Sequence, residues 1–139
     1  WEEPHPDHIA TAQLARNCVY LAGLAKYESA DGLERFRPSC VAHFNLPRWV
    51  SPSFVVDVSQ WYETKEAALL CHKSQLHDPD SDEPETALTD TDFAERLRNR
   101  SRHYGTLIAA EHGEPFLVRE ALAVDDPVRQ LGRPMNLFY

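Results

Sequence analysis

The sequence has no excess of positive charge, no long apolar run and few cysteines. Its 14 Lys and Arg stand against 22 Asp and Glu, a formal net charge of -8. That balance disfavours nonspecific nucleic-acid binding, which needs clustered cations to track phosphates. The expected partner is a small molecule or another protein. No apolar stretch approaches the roughly 20 residues that cross a bilayer, and no signal-peptide pattern stands at the front, where the first residue is Trp1. These absences predict a soluble, cytoplasmic protein that neither spans nor binds a membrane. Cys18, Cys40 and Cys71 are odd in number, widely spaced and set among apolar neighbours. They fit neither a disulfide framework nor paired zinc knuckles, and free Cys of this kind is expected to be buried. There is no internal repeat and no low-complexity segment.

What is present suits one modest domain: 139 residues, 42% of them hydrophobic. Apolar positions at helical spacing from Asp7 to Leu24 predict a first helix that stops near Gly23. "SCVAHFNL" (39–46) and "FVVDV" (54–58) have the β-branched and aromatic character of strands. Between them "PRWVSPS" is turn chemistry. "SQWYETKEAALLCHKSQL" (59–76) reads as a second helix with Ser59 as cap. The acidic, proline-containing stretch 77–92 has the composition of an exposed, mobile loop and a solvated lid over a site. It lacks the Gly and the ligand spacing of a calcium loop. A third helix follows from a cap at Asp90 or Thr91 to a stop at Gly113, then a strand-like "EPFLVREALAV" (114–124) and an irregular tail. This order predicts a mixed α/β layer fold. A parallel sheet of that kind normally opens on a strand, and none precedes Trp1, so the expectation is the later part of a larger α/β domain.

The chemistry-bearing residues gather at "HPDH", residues 5–8. Imidazoles three apart at a helix entrance are neighbours, so one can bind a metal while the other works on that metal's ligand. Asp7 between them could orient either ring. The competing reading is purely structural, because Asp caps helices and Pro favours first turns. His43, His72, His77, His103 and His112 share no ligand spacing and read as structural or solvated. Tyr104 beside Gly105 reads as core on an apolar helix stripe.

Across nearly the whole chain, "HPDHIATAQLARNCVYLAGLAKYE", "SPSFVVDVSQWYETKEAALLCHKSQL" and "RSRHYGTLIAAEHGEPFLVREAL" resemble the later half of LmbE/PIG-L-type N-deacetylases. The most specific pieces are His-Pro-Asp-His and the Lys-Ser-Gln ending of the middle helix. Within the family the sequence is most similar to the bacillithiol-biosynthesis branch, whose substrate class is N-acetylglucosaminyl malate. The resemblance implies the C-terminal half of a Rossmann-like deacetylase fold, residues 1–139 as part of one domain, and homo-oligomers, hexamers among them. It implies Zn2+ as cofactor, with His8 as one ligand and the other His and Asp ligands in the missing N-terminal half. His5 would be the general acid or the oxyanion stabiliser, Asp7 would pair with His5 and hold it protonated, and Arg37 would lie against Asp7. Arg37 reads equally well as a solvated Arg before a strand.

The general base and two of three metal ligands are absent from these residues, so the chain as it stands is expected to be inactive unless the missing half is supplied. Two positions depart from the pattern. Phe93 or Asp92 stands where some relatives carry a Tyr that helps with the oxyanion, and Pro4 stands where close relatives carry Arg. Two other readings remain open. One is a noncatalytic assembly module presenting Trp49, Trp61 and the tail Leu137, Phe138 and Tyr139. The other is a deacetylase of a different acetylated sugar.

Overall fold

The computed structural model describes residues 5–27, 32–72, 76 and 89–132. Pro4, the Lys-Ser-Gln at 73–75, His77, the acidic stretch 77–88 and the aromatic tail lie outside the described residues.

Helix α1 runs Pro6–Ala22, strand β1 Ala42–His43 and strand β2 Phe54–Asp57. A single 3-10 turn at Ser59–Trp61 leads into helix α2, Tyr62–Leu70. Helix α3 (Phe93–Thr106), strand β3 (Gly113–Val118) and a short helix α4 (Pro127–Leu131) complete the order. The architecture is mixed α/β with one small sheet, ordered β1-β3-β2. β1 pairs antiparallel with β3, Ala42 opposite Val118 and His43 opposite Leu117. A parallel sheet is therefore not what the described strands form.

Local chemistry explains where the elements differ from the sequence reading. The first predicted strand shrinks to two residues because Asn45 takes a left-handed backbone, φ 53°, and Pro47 cannot donate to a ladder. The third helix ends at Thr106, seven residues before Gly113, and Ala109 just beyond it also has positive φ, 56°. Gly113 opens β3 instead of ending a helix. α4 forms in what reads as an irregular run: Asp126 accepts a hydrogen bond from the N–H of Arg129 at 3.0 Å, with Pro127 at the first helical position.

The chain divides into two compact units. The first comprises residues 1–54 and 115–132. Its buried aliphatic side chains are Leu46 and Val118, and Phe54 stacks on Phe116 with ring centroids 5.3 Å apart. Ser53 joins the strand ladder through its side chain: Oγ donates to the Val118 carbonyl at 3.1 Å and accepts from the Val118 N–H at 3.0 Å. The second unit comprises residues 55–114 and 133–139. Tyr62, Ser101, Tyr104 and His112 form its buried centre. On its surface Arg98 makes a forked pair with Glu66 at 2.8 and 2.7 Å, and Lys65 pairs with Glu114 at 2.7 Å.

The three cysteines correct the sequence reading: Cys18, Cys40 and Cys71 are free but exposed. Cys18 sits on α1, a helix with no buried residue, and Cys71 at the C-terminus of α2 donates to the Ala67 carbonyl at 3.4 Å. Trp49 and Trp61 are exposed. No described helix is long and apolar enough to cross a membrane.

Candidate functional site

His5 begins the site because it begins α1. It is the N-cap residue, extended at φ -82° and ψ 123°, with Pro6 and the acidic Asp7 in the first turn. Its Nδ1 accepts a hydrogen bond from the backbone N–H of Asp7 at 3.2 Å. The imidazole thus fills the place that Ser, Thr, Asp or Asn usually takes. His8 is one turn along, and its ring centroid lies 5.0 Å from that of His5 with the planes tilted by 30°. His5, Asp7 and His8 are all exposed.

With Nδ1 engaged by the Asp7 N–H, Nε2 is the ring nitrogen that remains for a ligand. Asp7 contributes its backbone N–H to His5.

Arg37 is elsewhere. A Cβ built on Gly23, the residue capping the far end of α1, would lie 3.2 Å from the Arg37 Nε. The 17 residues of α1 put roughly 25 Å between its ends at 1.5 Å per residue. The expected pairing of Arg37 with Asp7 is therefore not formed. The chain returns to the helix C-terminus, where the N–H of Phe36 donates to the Ala22 carbonyl at 2.9 Å. An exposed guanidinium beside those last carbonyls complements the helix dipole.

His8 also lines a cleft of about 330 Å³ within the first unit. α1 gives one wall through His8, Thr11, Ala12 and Ala15; Val41 to Pro47, Val50 and Leu117 give the rest. His43 from β1 stands in the same lining, which the sequence reading leaves out because His43 alternates with apolar neighbours. A signal was available only through pairing, since the register with β3 is what turns His43 toward the face shared with Leu117. Burial pushes the His43 pKa below its ordinary value, and the charges of Arg119 and Arg16 push the same way, opposed by Glu120. A neutral imidazole offers one donor and one acceptor.

Phe93 and Asp92, the positions matched to an oxyanion Tyr, lie at the start of α3 in the second unit. His112 and Tyr104 are core residues there; the sequence places Tyr104 in the core but gives His112 only a structural or solvated role. Among the described residues no three His, Cys, Asp or Glu side chains converge to hold a metal ion. His8 by itself does not make a zinc site, since catalytic zinc typically has three protein ligands.

No protein-family model matches this chain. Its structure is similar to the crystal structure of the conserved protein TT1542 from Thermus thermophilus, with a TM-score of 0.69 and 30% sequence identity. The similarity covers 88% of this chain and 50% of that one, so the chain spans half the length of that protein.

Proposed function

We propose that this chain is one part of a zinc-dependent N-deacetylase of the LmbE/PIG-L type with a Rossmann-like fold, acting on an N-acetylglucosamine conjugate. N-acetylglucosaminyl malate, in cytoplasmic bacillithiol biosynthesis, is the substrate to test first. The observation that carries the reading is the pair of imidazoles at the entrance of α1, 5.0 Å apart, with His8 at the rim of the cleft.

In this reading His8 supplies one zinc ligand, and the others come from sequence beyond these 139 residues. When bound, zinc supplies an activated water and carbonyl polarisation. The work assigned to this chain is done by its own residues. His5 would hydrogen-bond through Nε2–H to the acetyl carbonyl oxygen as charge develops there, keeping its proton. The net reaction takes the amide and one water to acetate and the free amino sugar. Asp7 positions His5 through its backbone N–H.

The test is zinc content and amine release from N-acetylglucosaminyl malate, using the native polypeptide that carries this sequence. About one zinc per chain, lost together with activity in His8→Ala, supports the reading. Full activity in His8→Ala overturns it. The assembly-module reading is favoured by one observation, the exposure of Trp49 and Trp61. It expects His8→Ala to change neither oligomer size nor function.

A further inference from the structure

The run that follows α1 carries two arginines on alternate positions, and both line one pocket. Arg35 and Arg37 form it together with Gly23, the buried residue that caps the helix, and its volume is about 330 Å³. Glu34, between them in sequence, is not in the lining. Gly23 permits the close approach: a Cβ there would lie 3.2 Å from Arg37 Nε, so its absence lets the guanidinium lie against the helix end. The hydrogen bond from the Phe36 N–H to the Ala22 carbonyl, 2.9 Å, holds the segment in place.

These guanidiniums do not serve the helix as hydrogen-bonding caps. The last carbonyls of α1 are taken by main chain: Tyr20 accepts from the Gly23 N–H at 3.2 Å, Leu21 from Leu24 at 3.0 Å, and Ala22 from Phe36. Nor do the two arginines balance a carboxylate. Arg16, Lys65, Arg96 and Arg98 each meet one, whereas among the described residues Arg35 and Arg37 have no ion pair or hydrogen bond. Carboxylates are not scarce, 22 against 14 Lys and Arg, so the missing acid is a feature of this pocket.

Two like charges side by side repel, and one anion bridging both removes that cost. A guanidinium presents its N–H groups as a planar fork that matches the O–P–O edge of a phosphate. The partial negative charge at the helix end, roughly half a unit, is outweighed by the two full charges beside it. We infer that Arg35 and Arg37, seated on Gly23 at the end of α1, form a binding site for a phosphate dianion, either the free ion or a small phosphate monoester. The site lies at the opposite end of α1 from His5. It therefore stands whether or not the deacetylase reading does.

The test is isothermal titration calorimetry of inorganic phosphate into the native polypeptide that carries this sequence, at constant ionic strength and mildly alkaline pH, where the ion is a dianion. Saturable binding is expected, weakened about 10-fold in Arg35→Gln and in Arg37→Gln, the loss typical of a hydrogen bond to a charged group. Arg37→Lys, which keeps the charge but not the fork, should also weaken it. Arg48→Gln, at an exposed arginine outside the pocket, should not. Neither should His8→Ala, which tells this site apart from phosphate at a metal centre. Glycerol phosphate titrated in parallel separates the two sources: tighter binding than the bare ion, weakened in the same variants, assigns the site to an ester, and weaker binding assigns it to the free ion. No saturable binding overturns the inference. So does equal weakening by Arg48→Gln, which would reduce the effect to net charge, or loss of binding in His8→Ala. Malate bound more tightly than phosphate would assign the pair to a dicarboxylate and also overturns it.

Discussion

The imidazole of His112 lies flat on the phenol ring of Tyr62, with centroids 3.8 Å apart and planes 10° apart. The same imidazole is within 3.2 Å of the Ser101 hydroxyl through Nδ1. Its backbone N–H donates to Ser59 Oγ at 3.1 Å, and its carbonyl accepts from the Val58 N–H at 3.0 Å. One residue thus joins the end of β2, the start of α2 and the middle of α3 in the second unit.

His112→Ala removes the stacked ring and one partner of a buried hydroxyl together, so a loss of about 2–4 kcal/mol is expected. His112→Phe keeps the stack and should lose only about 1–2 kcal/mol, the contribution of the missing polar contact. Urea denaturation followed by tyrosine and tryptophan fluorescence measures both. Equal losses in the two variants would show that the stack contributes little.

Gly105 and Gly113 face one another where α3 meets the start of β3. A Cβ on Gly105 would lie 2.6 Å from the Ala110 carbonyl oxygen, and one on Gly113 would lie 2.7 Å from the Gly105 nitrogen. Backbone cannot swing aside as a long side chain can. Each Gly→Ala change should destabilise by about 1–3 kcal/mol, and because both methyls press on neighbouring backbone where α3 meets β3, the cost of the double variant should depart from the sum. Thermal unfolding of the three variants is the check.

At the entrance of α1, capping and chemistry can be separated by substitution. His5→Asp replaces one cap with a stronger one and should hold or raise helix stability, whereas His5→Ala should lose about 1 kcal/mol. Under the proposed function both variants lose amine release, since neither carries an Nε2 donor. Circular dichroism melting beside the amine assay reads the two effects apart. Activity that follows helix stability alone would make His5 a cap and nothing more.

Arg37 offers a simpler contrast. Against the C-terminus of α1 it should be worth less than about 1 kcal/mol, as exposed charges at helix ends are. Arg37→Ala should therefore leave zinc content and amine release near those of the parent. A loss of activity beyond about 100-fold with unchanged melting would restore the pairing with Asp7, since positioned acid–base groups contribute on that scale.

His43 gives a pH dependence of known sign. Its pKa is lowered on folding, chiefly by burial, so the folded state binds a proton less readily than the unfolded chain does. The stabilising contribution is complete above the unfolded value of about 6.5 and is lost as pH falls through the lower folded value. Urea midpoints compared at neutral and mildly acidic pH should show this loss, and His43→Asn should reduce it. An NMR titration placing the His43 pKa at or above the unfolded value would contradict the assignment.

Local sequence by itself determined α1, because Pro6 and Asp7 mark its first turn, Gly23 its end, and apolar spacing its length. It likewise determined β2, whose β-branched run matches Phe54–Asp57, and the pairing of two imidazoles one turn apart, which helical geometry dictates. The Asp-Pro that caps α4 is equally local, although the run around it reads as irregular. Tertiary structure decided the rest. Arg37 goes to the far end of α1 because the chain folds back through the Phe36 to Ala22 hydrogen bond, a contact no local pattern encodes. His43 joins His8 in one cleft only through pairing with Leu117, more than seventy residues along the chain. Cys18 lies exposed because a hydrophobic neighbourhood in sequence becomes a buried one in space only when another surface closes over it, and α1 has no buried residue.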